Sequence, residues 1–508
     1  MADNLPGNTT PNVKYIGRTK ILCDEKQITA ANVVAILSSA LLIHDENSAQ
    51  INYLHNYRRG DQPILKRLKK NRPEICNRIV ENVANEIVAF RTGNLCGEPI
   101  QYVSRGKDAS ISDEIQKLND QMLLIGKENL DIELCEWRNT CGTGYRMVIS
   151  NAEYIKSTVT PWLNNQGELD PDESVIKAYT LDPRYSFVIY HSGLGEPPIA
   201  GVKYIEREDK TKIYTVYTNE YRFDVNFAEG QEATVKEYPH ALKFIPIIEY
   251  PLNSIRLGAM ELVLPLLDAL NTVSSNRIDG IEQFIQSLIV LYGIDIDGDE
   301  AVALKDKGVI KLPAVTDAGK VGIDILASQL QQADTQTVVD YMRKTIYEIV
   351  GMPTNSSGGM STSDTGRAVE MRDGWSSTET LAKPDEKAFK LPERVYFLRA
   401  VLRIMRDTIG TTLTLKDIDI KFTRRIYEGL VAKSQVLLNM LATNKIAPEL
   451  AFSTCGLFSD PEDAAKKSQE YYDKVKITIP DTAKATVSAT ADEAAGEIAP
   501  DLGGGSSV

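Results

Sequence analysis

One acidic run in this sequence has carboxylates at intervals that could bind a divalent cation. It reads Asp295-Ile296-Asp297-Gly298-Asp299-Glu300 and is followed by Asp306. Carboxylates at alternate positions are typical of the first half of a calcium-binding loop, which also needs glycine at position six and glutamate at position twelve. Glu300 and Asp306 occupy those two positions here. The run therefore predicts an exposed acidic turn, with a weak divalent-ion or interface role left open.

Sequence motifs of the common enzyme classes are absent. The chain has four histidines and no HExxH, no GxSxG elbow, and no GxGxxG that opens a helix. Gly319-Lys320 is followed by valine and lacks the earlier glycine that a phosphate-binding loop needs. The six cysteines form no CxxC pair, so a disulfide-stapled or zinc-ribbon scaffold is not expected. These absences argue against an ordinary hydrolase or a nucleotide-driven motor. We expect a protein that is not an enzyme, with no catalytic residue, no metal and no cofactor.

A glycine- and serine-rich segment from Gly351 to Gly366 contains no Lys or Arg and a single acid, Asp364. Loops of this length are uncommon as mere connections. Lys and Arg would grip a polyanion, whereas Ser, Thr and Asn bond to it weakly. The segment therefore indicates a loop that touches a polyanion without holding it, and an ordinary disordered surface loop is the alternative.

Composition and charge narrow the class of protein. The 508 residues carry 57 Lys and Arg against 70 Asp and Glu, a net charge of −13, and 43% of them are hydrophobic. This is a folded protein of several structural units. Its acidity argues against a protein that coats DNA but not against one that lets DNA slide past.

A basic run near the N-terminus either contacts an anionic partner or is a solvated face. It comprises Arg58, Arg59, Lys66, Arg67, Lys69, Lys70 and Arg72.

The most apolar window, residues 30–43, is shorter than the roughly 18–20 residues that a membrane span needs. No small-residue cleavage site follows it, so we expect a buried helix, no membrane association and a cytosolic site of synthesis.

The predicted helices and strands around these residues indicate an α+β fold. Residues 28–91 have helical spacing, with Ile75, Ile79, Val83 and Ile87 on one face. Residues 145–250 are rich in aromatic and β-branched residues and predict an antiparallel β region. Helix resumes at Met260, followed by three short strand-like runs at 288–292, 309–312 and 321–326.

The C-terminal part of the chain is predicted to be mainly helical. Helices are expected over 327–350 and 367–407, the latter interrupted at Gly374, Pro384 and Pro392. A short strand over 418–422 and a small helical unit over 430–472 follow.

The order of several short motifs resembles that of tailed-bacteriophage portal proteins of the long-tailed type. No one motif is specific, but their order over some 400 residues is. The motifs are Asn56-Tyr57-Arg58-Arg59-Gly60, Gly97-Glu98-Pro99-Ile100, Gly142-Thr143-Gly144-Tyr145, Leu267-Asp268-Ala269-Leu270-Asn271 and Gly366-Arg367-Ala368-Val369. Pro384 and Pro392 depart from the family, whose long helix is nearly free of proline.

The resemblance implies a portal fold with named parts. They are a disordered N-terminus (1–20), a wing (21–255), a first stem helix (256–286), a clip (287–326), a second stem helix (327–350), a tunnel loop (351–366), a wing return (367–428), a helical crown (429–478) and a disordered tail (479–508).

The resemblance also implies a function. Such proteins form a ring, usually of twelve subunits, at one capsid vertex, and viral DNA is packaged and ejected through it. The implied partners are other copies of the chain, double-stranded DNA, the terminase large subunit, head-completion or adaptor proteins, and the major capsid and scaffolding proteins. The implied location is the virion, with assembly in the host cytoplasm.

Three sets of site residues follow from this expectation. The DNA-facing tunnel loop would be Asn355, Ser356, Ser357, Gly358, Gly359, Met360, Ser361, Thr362, Ser363 and Asp364. Channel-lining stem candidates are Glu261, Asp268, Asp279, Glu282, Asp340, Arg343 and Lys344, each of which also fits an ordinary solvated or intersubunit helix face. The clip surface facing terminase or adaptors would be Asp295, Asp297, Asp299, Glu300 and Asp306.

Two other classes of protein compete with this interpretation. One is a soluble enzyme whose active-site lid is Gly351 to Gly366, although Asp364 is the single titratable residue in that segment. The other is a non-portal interaction protein whose acidic surface binds basic partners.

Overall fold

The computed structural model describes residues 17–70, 73–105, 109–151, 173–208, 211–227, 233–285, 288–292, 322–326, 332–354, 375–422, 430–442, 446–455, 457–458 and 461–478. The chain divides into two compact units, Met1–Phe422 and Thr423–Val508. This division lies close to the boundary predicted before residue 429. The mixture of helices and sheets confirms the α+β class.

Four helices precede the main β region. They are α1 (Val33–Arg58), α2 (Val83–Cys96), α3 (Ala109–Leu124) and α4 (Lys127–Cys141). A 3-10 turn, Pro63–Lys66, follows α1. Helix α4 ends at Gly142, whose left-handed φ of 81° lets its N–H bond to the Arg138 carbonyl at 2.8 Å.

Two sequence predictions fail near the N-terminus. Residues 73–82 do not continue the helical face predicted from Ile75 to Ile87, because α2 begins only at Val83. Residues 17–20, predicted to be part of a disordered segment, instead pack in the fold, with Arg18 buried.

The predicted antiparallel β region is confirmed. Its main sheet has the order β1-β5-β6-β7-β8-β9, and a second sheet has the order β10-β3-β4. Strand β1 is the exception, because it runs parallel to β5. The strands are β1 (Ile21–Cys23), β2 (Gln101–Ser104), β3 (Thr143–Ser150), β4 (Ile176–Leu181), β5 (Ser186–His191), β6 (Pro198–Glu206), β7 (Lys212–Tyr217), β8 (Tyr221–Asn226), β9 (Thr234–Pro239) and β10 (Ile247–Pro251).

A helix pair and a two-stranded sheet come next in the chain. Helix α5 (Leu264–Ile285) follows a 3-10 turn, Glu261–Val263, and α6 is Gln332–Val350. Between them, β11 (Leu288–Tyr292) pairs antiparallel with β12 (Gly322–Leu326). Two of the three predicted short strands are therefore confirmed, and the third, 309–312, lies outside the described residues.

The predicted long helix continues through one of its prolines. Helix α7 (Trp375–Pro392) contains Pro384, so the predicted interruption there is wrong. After Pro392 the backbone forms a π-helical turn, Glu393–Leu398, and then α8 (Arg399–Ile409). Strand β13 (Ile418–Lys421) pairs with β2 and confirms the predicted strand. Gly374 lies outside the described residues.

Three apolar clusters form the core of the first unit. One lies between α1 and the six-stranded sheet, and a second joins α1 and α2 to the α5–α6 pair. The third packs α3, α4 and the second sheet against the helices from Trp375 to Ile409. The sulfur atoms of Cys96 of α2 and Cys135 of α4 are in contact, and the other four cysteines are free.

The second unit contains α9 (Leu430–Ala442), α10 (Pro448–Cys455) and α11 (Pro461–Thr478), which confirms the predicted helical unit. Across both units, no helix in the described ranges is long and apolar enough to cross a membrane.

Candidate functional site

The structure describes one of the three predicted sets of site residues. Residues 355–364 and the acidic positions from Asp295 to Asp306 lie outside the described ranges. The seven stem candidates lie on α5, on α6 or on the turn before α5. The two helices pack against each other through buried residues such as Leu267, Leu270 and Ile346. The seven candidates differ in how deeply they are buried and in their ion-pair partners.

Glu261 is buried at the start of this helix pair. Its carboxylate pairs with the Arg18 guanidinium at 2.6 Å and accepts the Gly258 N–H at 2.7 Å. Its side chain is 0% exposed, and burial raises the pKa of Glu261. Glu261 was expected to line a channel. Its position does not fit that role, because its carboxylate is buried and paired with a cation of the same chain.

Asp279 is also buried, with 3% of its side chain exposed. It pairs with Arg67 at 3.0 Å and with Lys69 at 2.6 Å, and it accepts the Asn77 backbone N–H at 2.7 Å. Burial acts to raise the pKa of Asp279, but the bonds from Lys69 and Asn77 outweigh it and hold this pKa below its usual value. Asp279 therefore does not fit the expected channel wall either, because it neutralises two cations of its own chain.

Ion pairs within the chain occupy three of the six described cations of the predicted basic run. Arg67 and Lys69 bind Asp279, and Arg58 binds Glu136 at 3.0 Å. The remaining described cations of the run are exposed, namely Arg59, Lys66 and Lys70. Arg72 lies outside the described residues. The run is therefore not one continuous surface for an anionic partner.

The other stem candidates are more open to solvent. Asp268 accepts the Tyr57 hydroxyl at 2.9 Å, and burial raises the pKa of Asp268. Arg343 is half-buried and pairs with Glu81 at 2.5 Å. Asp340 and Lys344 are exposed to solvent, and Glu282 is partly exposed.

The sequence analysis missed a buried hub of charges centred on Glu393, the first residue of the π-helical turn. The Glu393 carboxylate accepts hydrogen bonds from the hydroxyls of Tyr102 at 2.5 Å and Tyr250 at 2.6 Å. Lys127 pairs with it at 2.9 Å, and Arg146 approaches at 3.5 Å. Because five separate stretches of chain meet here, the hub ties the long helix to both neighbouring sheets and to α4.

Asp131 completes the charge balance of this hub. It pairs with Lys127 at 2.6 Å and with Arg146 at 2.5 Å. Burial acts to raise the pKa of Glu393, but Lys127 and Arg146 outweigh it and hold this pKa below its usual value. Two buried cations thus face two buried carboxylates. Arg146 within the apolar strand β3 was the available sequence signal, because a buried charge requires a partner.

A carboxylate on α7, just before this turn, has a similar setting. Asp385 lies between Arg138 and Arg91, each at 3.2 Å. Asp385 precedes Glu393 by eight residues, so Asp385 ties α7 to α2 and α4, and Glu393 ties the turn after α7 to α4 and the neighbouring strands.

These paired charges connect helices and strands that are distant in the sequence. No group of three His, Cys, Asp or Glu side chains in the described residues could hold a metal ion. Two cavities in the described part of the chain have volumes of about 10 and 20 Å³. The smaller one, beside Arg18 and Glu249, has room for about one water molecule.

Comparison with known proteins identifies the class to which this architecture belongs. The family model described as phage portal protein, SPP1 Gp6-like, matches residues 40–476. The portal protein of Bacillus phage SPP1 is 21% identical over 484 residues, covering 90% of this chain and 88% of that protein. Because the family model spans most of the chain, the chain belongs to the SPP1 Gp6-like family of phage portal proteins. The resemblance found from the order of motifs is confirmed, and the match favours it over the enzyme and scaffold alternatives.

Proposed function

We propose that this portal protein assembles as a ring of about twelve copies at one capsid vertex and forms the channel for DNA packaging and ejection. The family match over residues 40–476 carries the proposal. The ring would receive the terminase large subunit during packaging and head-completion or adaptor proteins afterwards. It would contact major capsid and scaffolding proteins, assemble in the host cytoplasm and remain in the virion.

The β11–β12 pair supports assembly with further copies. A two-stranded sheet is marginally stable in water by itself. Both strands are short, and their ladder ends at Leu288 opposite Leu326 and at Tyr292 opposite Gly322. Strands from neighbouring copies would extend this sheet and satisfy its outer edges.

The exposed face of α6 also supports assembly. Tyr341 is 69% exposed, and Val338 and Ile349 are each 44% exposed. Apolar side chains of this size on a rigid helix favour contact with another protein surface. In a ring, helices of a neighbouring copy would pack against these apolar side chains of α6.

The charge of the chain suits a channel through which DNA moves. A net charge of −13 on each copy repels phosphate and discourages tight binding. We assign Asp340, Lys344 and Glu282 as the stem side chains that remain available to a channel wall. We further assign Asn355 to Asp364 to the DNA-facing loop and Asp295 to Asp306 to the terminase-facing clip.

Light scattering with negative-stain imaging of the purified chain tests the ring. Twelve copies of the 56.3 kDa chain would weigh about 676 kDa and show an axial hole wide enough for a DNA duplex. A compact monomer, also in the presence of capsid and scaffolding proteins, would refute the proposal.

Replacing Gly358-Gly359 with a rigid pair tests the loop separately. We expect assembled rings that do not package DNA, because a stiff loop cannot follow a moving duplex. Normal packaging by this variant would refute the role of the loop while leaving the ring intact.

A further inference from the structure

Residues 77–81 use their backbone in an unusual way. They lie between the Pro63–Lys66 turn and α2 and belong to no helix or strand. Three alternate backbone N–H groups nevertheless bond to side chains of α5. The Asn77 N–H bonds to Asp279 Oδ1 at 2.7 Å, that of Ile79 to Ser275 Oγ at 3.0 Å, and that of Glu81 to Asn271 Oδ1 at 2.9 Å.

The spacing of donors and acceptors explains why these bonds form together. Residues four apart on an α-helix are separated by about 6 Å along its axis. Residues two apart on an extended chain are separated by about 6.6 Å, and their N–H groups point to the same side. Because the two steps nearly match, residues 77, 79 and 81 meet residues 279, 275 and 271 in antiparallel register. The three helix residues are all buried, so the register is specified.

Ion pairs flank both ends of this segment. At one end Asp279 also binds Arg67 and Lys69. At the other end the Glu81 carboxylate pairs with Arg343 of α6 and accepts the Ser274 hydroxyl of α5. The segment therefore contacts both helices of the pair, and it leads directly into α2.

We propose that residues 77–81 form a strap that sets the position of the α5–α6 pair relative to α2, with Asp279 as the positioning residue. Asp279 combines a bond to the strap backbone with charge compensation for two cations. The consequence for a channel rests on the function proposed above. The strap-covered face of α5 touches neither DNA nor a neighbouring copy, and the helix pair moves together with α2.

Hydrogen exchange of the full-length chain, resolved at single amides, tests the strap. We expect protection to alternate along it, with slow exchange at 77, 79 and 81 and faster exchange at 78 and 80. Ser275→Ala removes the acceptor of the Ile79 N–H, so the Ile79 amide should exchange at least about tenfold faster, with smaller changes at Asn77 and Glu81.

Thr272→Val is the matched control for this variant. Thr272 lies on the same helix, is exposed, and bonds to its own helix carbonyl at 2.8 Å, as Ser275 does at 2.7 Å. It should leave the exchange of the strap amides unchanged. Equal exchange at Ile79 in Ser275→Ala and in the unsubstituted chain, or unprotected strap amides in the latter, would overturn the proposal.

Asp279→Asn separates the two tasks of the positioning residue. It keeps an acceptor for the Asn77 N–H but removes the charge that compensates Lys69. We expect the Asn77 amide to stay protected while acetylation of Lys69 becomes several-fold faster. Unchanged labelling of Lys69 would refute the positioning role. These measurements do not depend on ring formation, so a protected strap in a chain that stays monomeric even with capsid and scaffolding proteins would refute the ring and not the strap.

Discussion

Replacing Glu393 with glutamine should destabilise the first unit strongly. In the unsubstituted chain, Glu393 and Asp131 balance the charges of Lys127 and Arg146, and all four side chains are at most 4% exposed. Glutamine leaves two buried cations with one buried carboxylate. Removing one partner from a buried ion pair typically costs about 3–5 kcal/mol, and we expect a loss of unfolding free energy of this size.

Urea unfolding followed by tryptophan fluorescence and circular dichroism measures this loss. The transition midpoint should fall without a large change in its denaturant dependence. Glu379→Gln is the matched control, because it makes the same substitution on α7. Glu379 pairs with Lys383 at 3.9 Å on the surface, where such pairs contribute less than about 1 kcal/mol.

A compensating substitution makes the test specific to charge balance. Adding Lys127→Met to Glu393→Gln leaves one buried cation, Arg146, opposite one buried carboxylate, Asp131, so part of the lost stability should return. If Glu393→Gln costs no more than Glu379→Gln, the reasoning about the hub is refuted. Because the pKa of Glu393 is lowered in the fold, its stabilisation should be present above about pH 4.5 and decline as the pH falls through the lower folded value.

Three further predictions concern other buried positions. Burial lowers the pKa of His44 from 6.5 to about 4. Between these two pH values the imidazole is protonated in the unfolded chain but neutral in the folded chain. Unfolding free energy should therefore fall by about 1.4 kcal/mol per pH unit from pH 6.5 towards 4, and less steeply in His44→Gln. Gly142→Ala should cost more than about 2 kcal/mol in urea unfolding, because its φ is 81° and its Cβ would lie 2.0 Å from the Arg256 carbonyl oxygen. Gly126→Ala, with positive φ but open space, should cost less. Glu261→Gln should lower the melting temperature by several degrees, because it leaves buried Arg18 without its charge partner.

Sequence patterns predicted much of the local structure because they act over a few residues. Runs rich in aromatic and β-branched residues predicted the β region over residues 145–250, and helical spacing predicted α5, α6 and the second unit. The order of short motifs over some 400 residues predicted the family, although each motif is unspecific, and the family model matches residues 40–476.

The partners of the charged residues were decided by the tertiary structure. Asp279 and Glu261 have the sequence context of exposed helix acids, yet each meets a cation about 200 residues or more away in the chain. Residues 75–82 have helical spacing but bond to α5, because suitable acceptors lie there at matching intervals. Periodicity along a chain carries no information on which distant element supplies such a partner. Local sequence patterns thus predicted the elements and the family, whereas the three-dimensional packing decided which charges are buried and paired and which remain exposed.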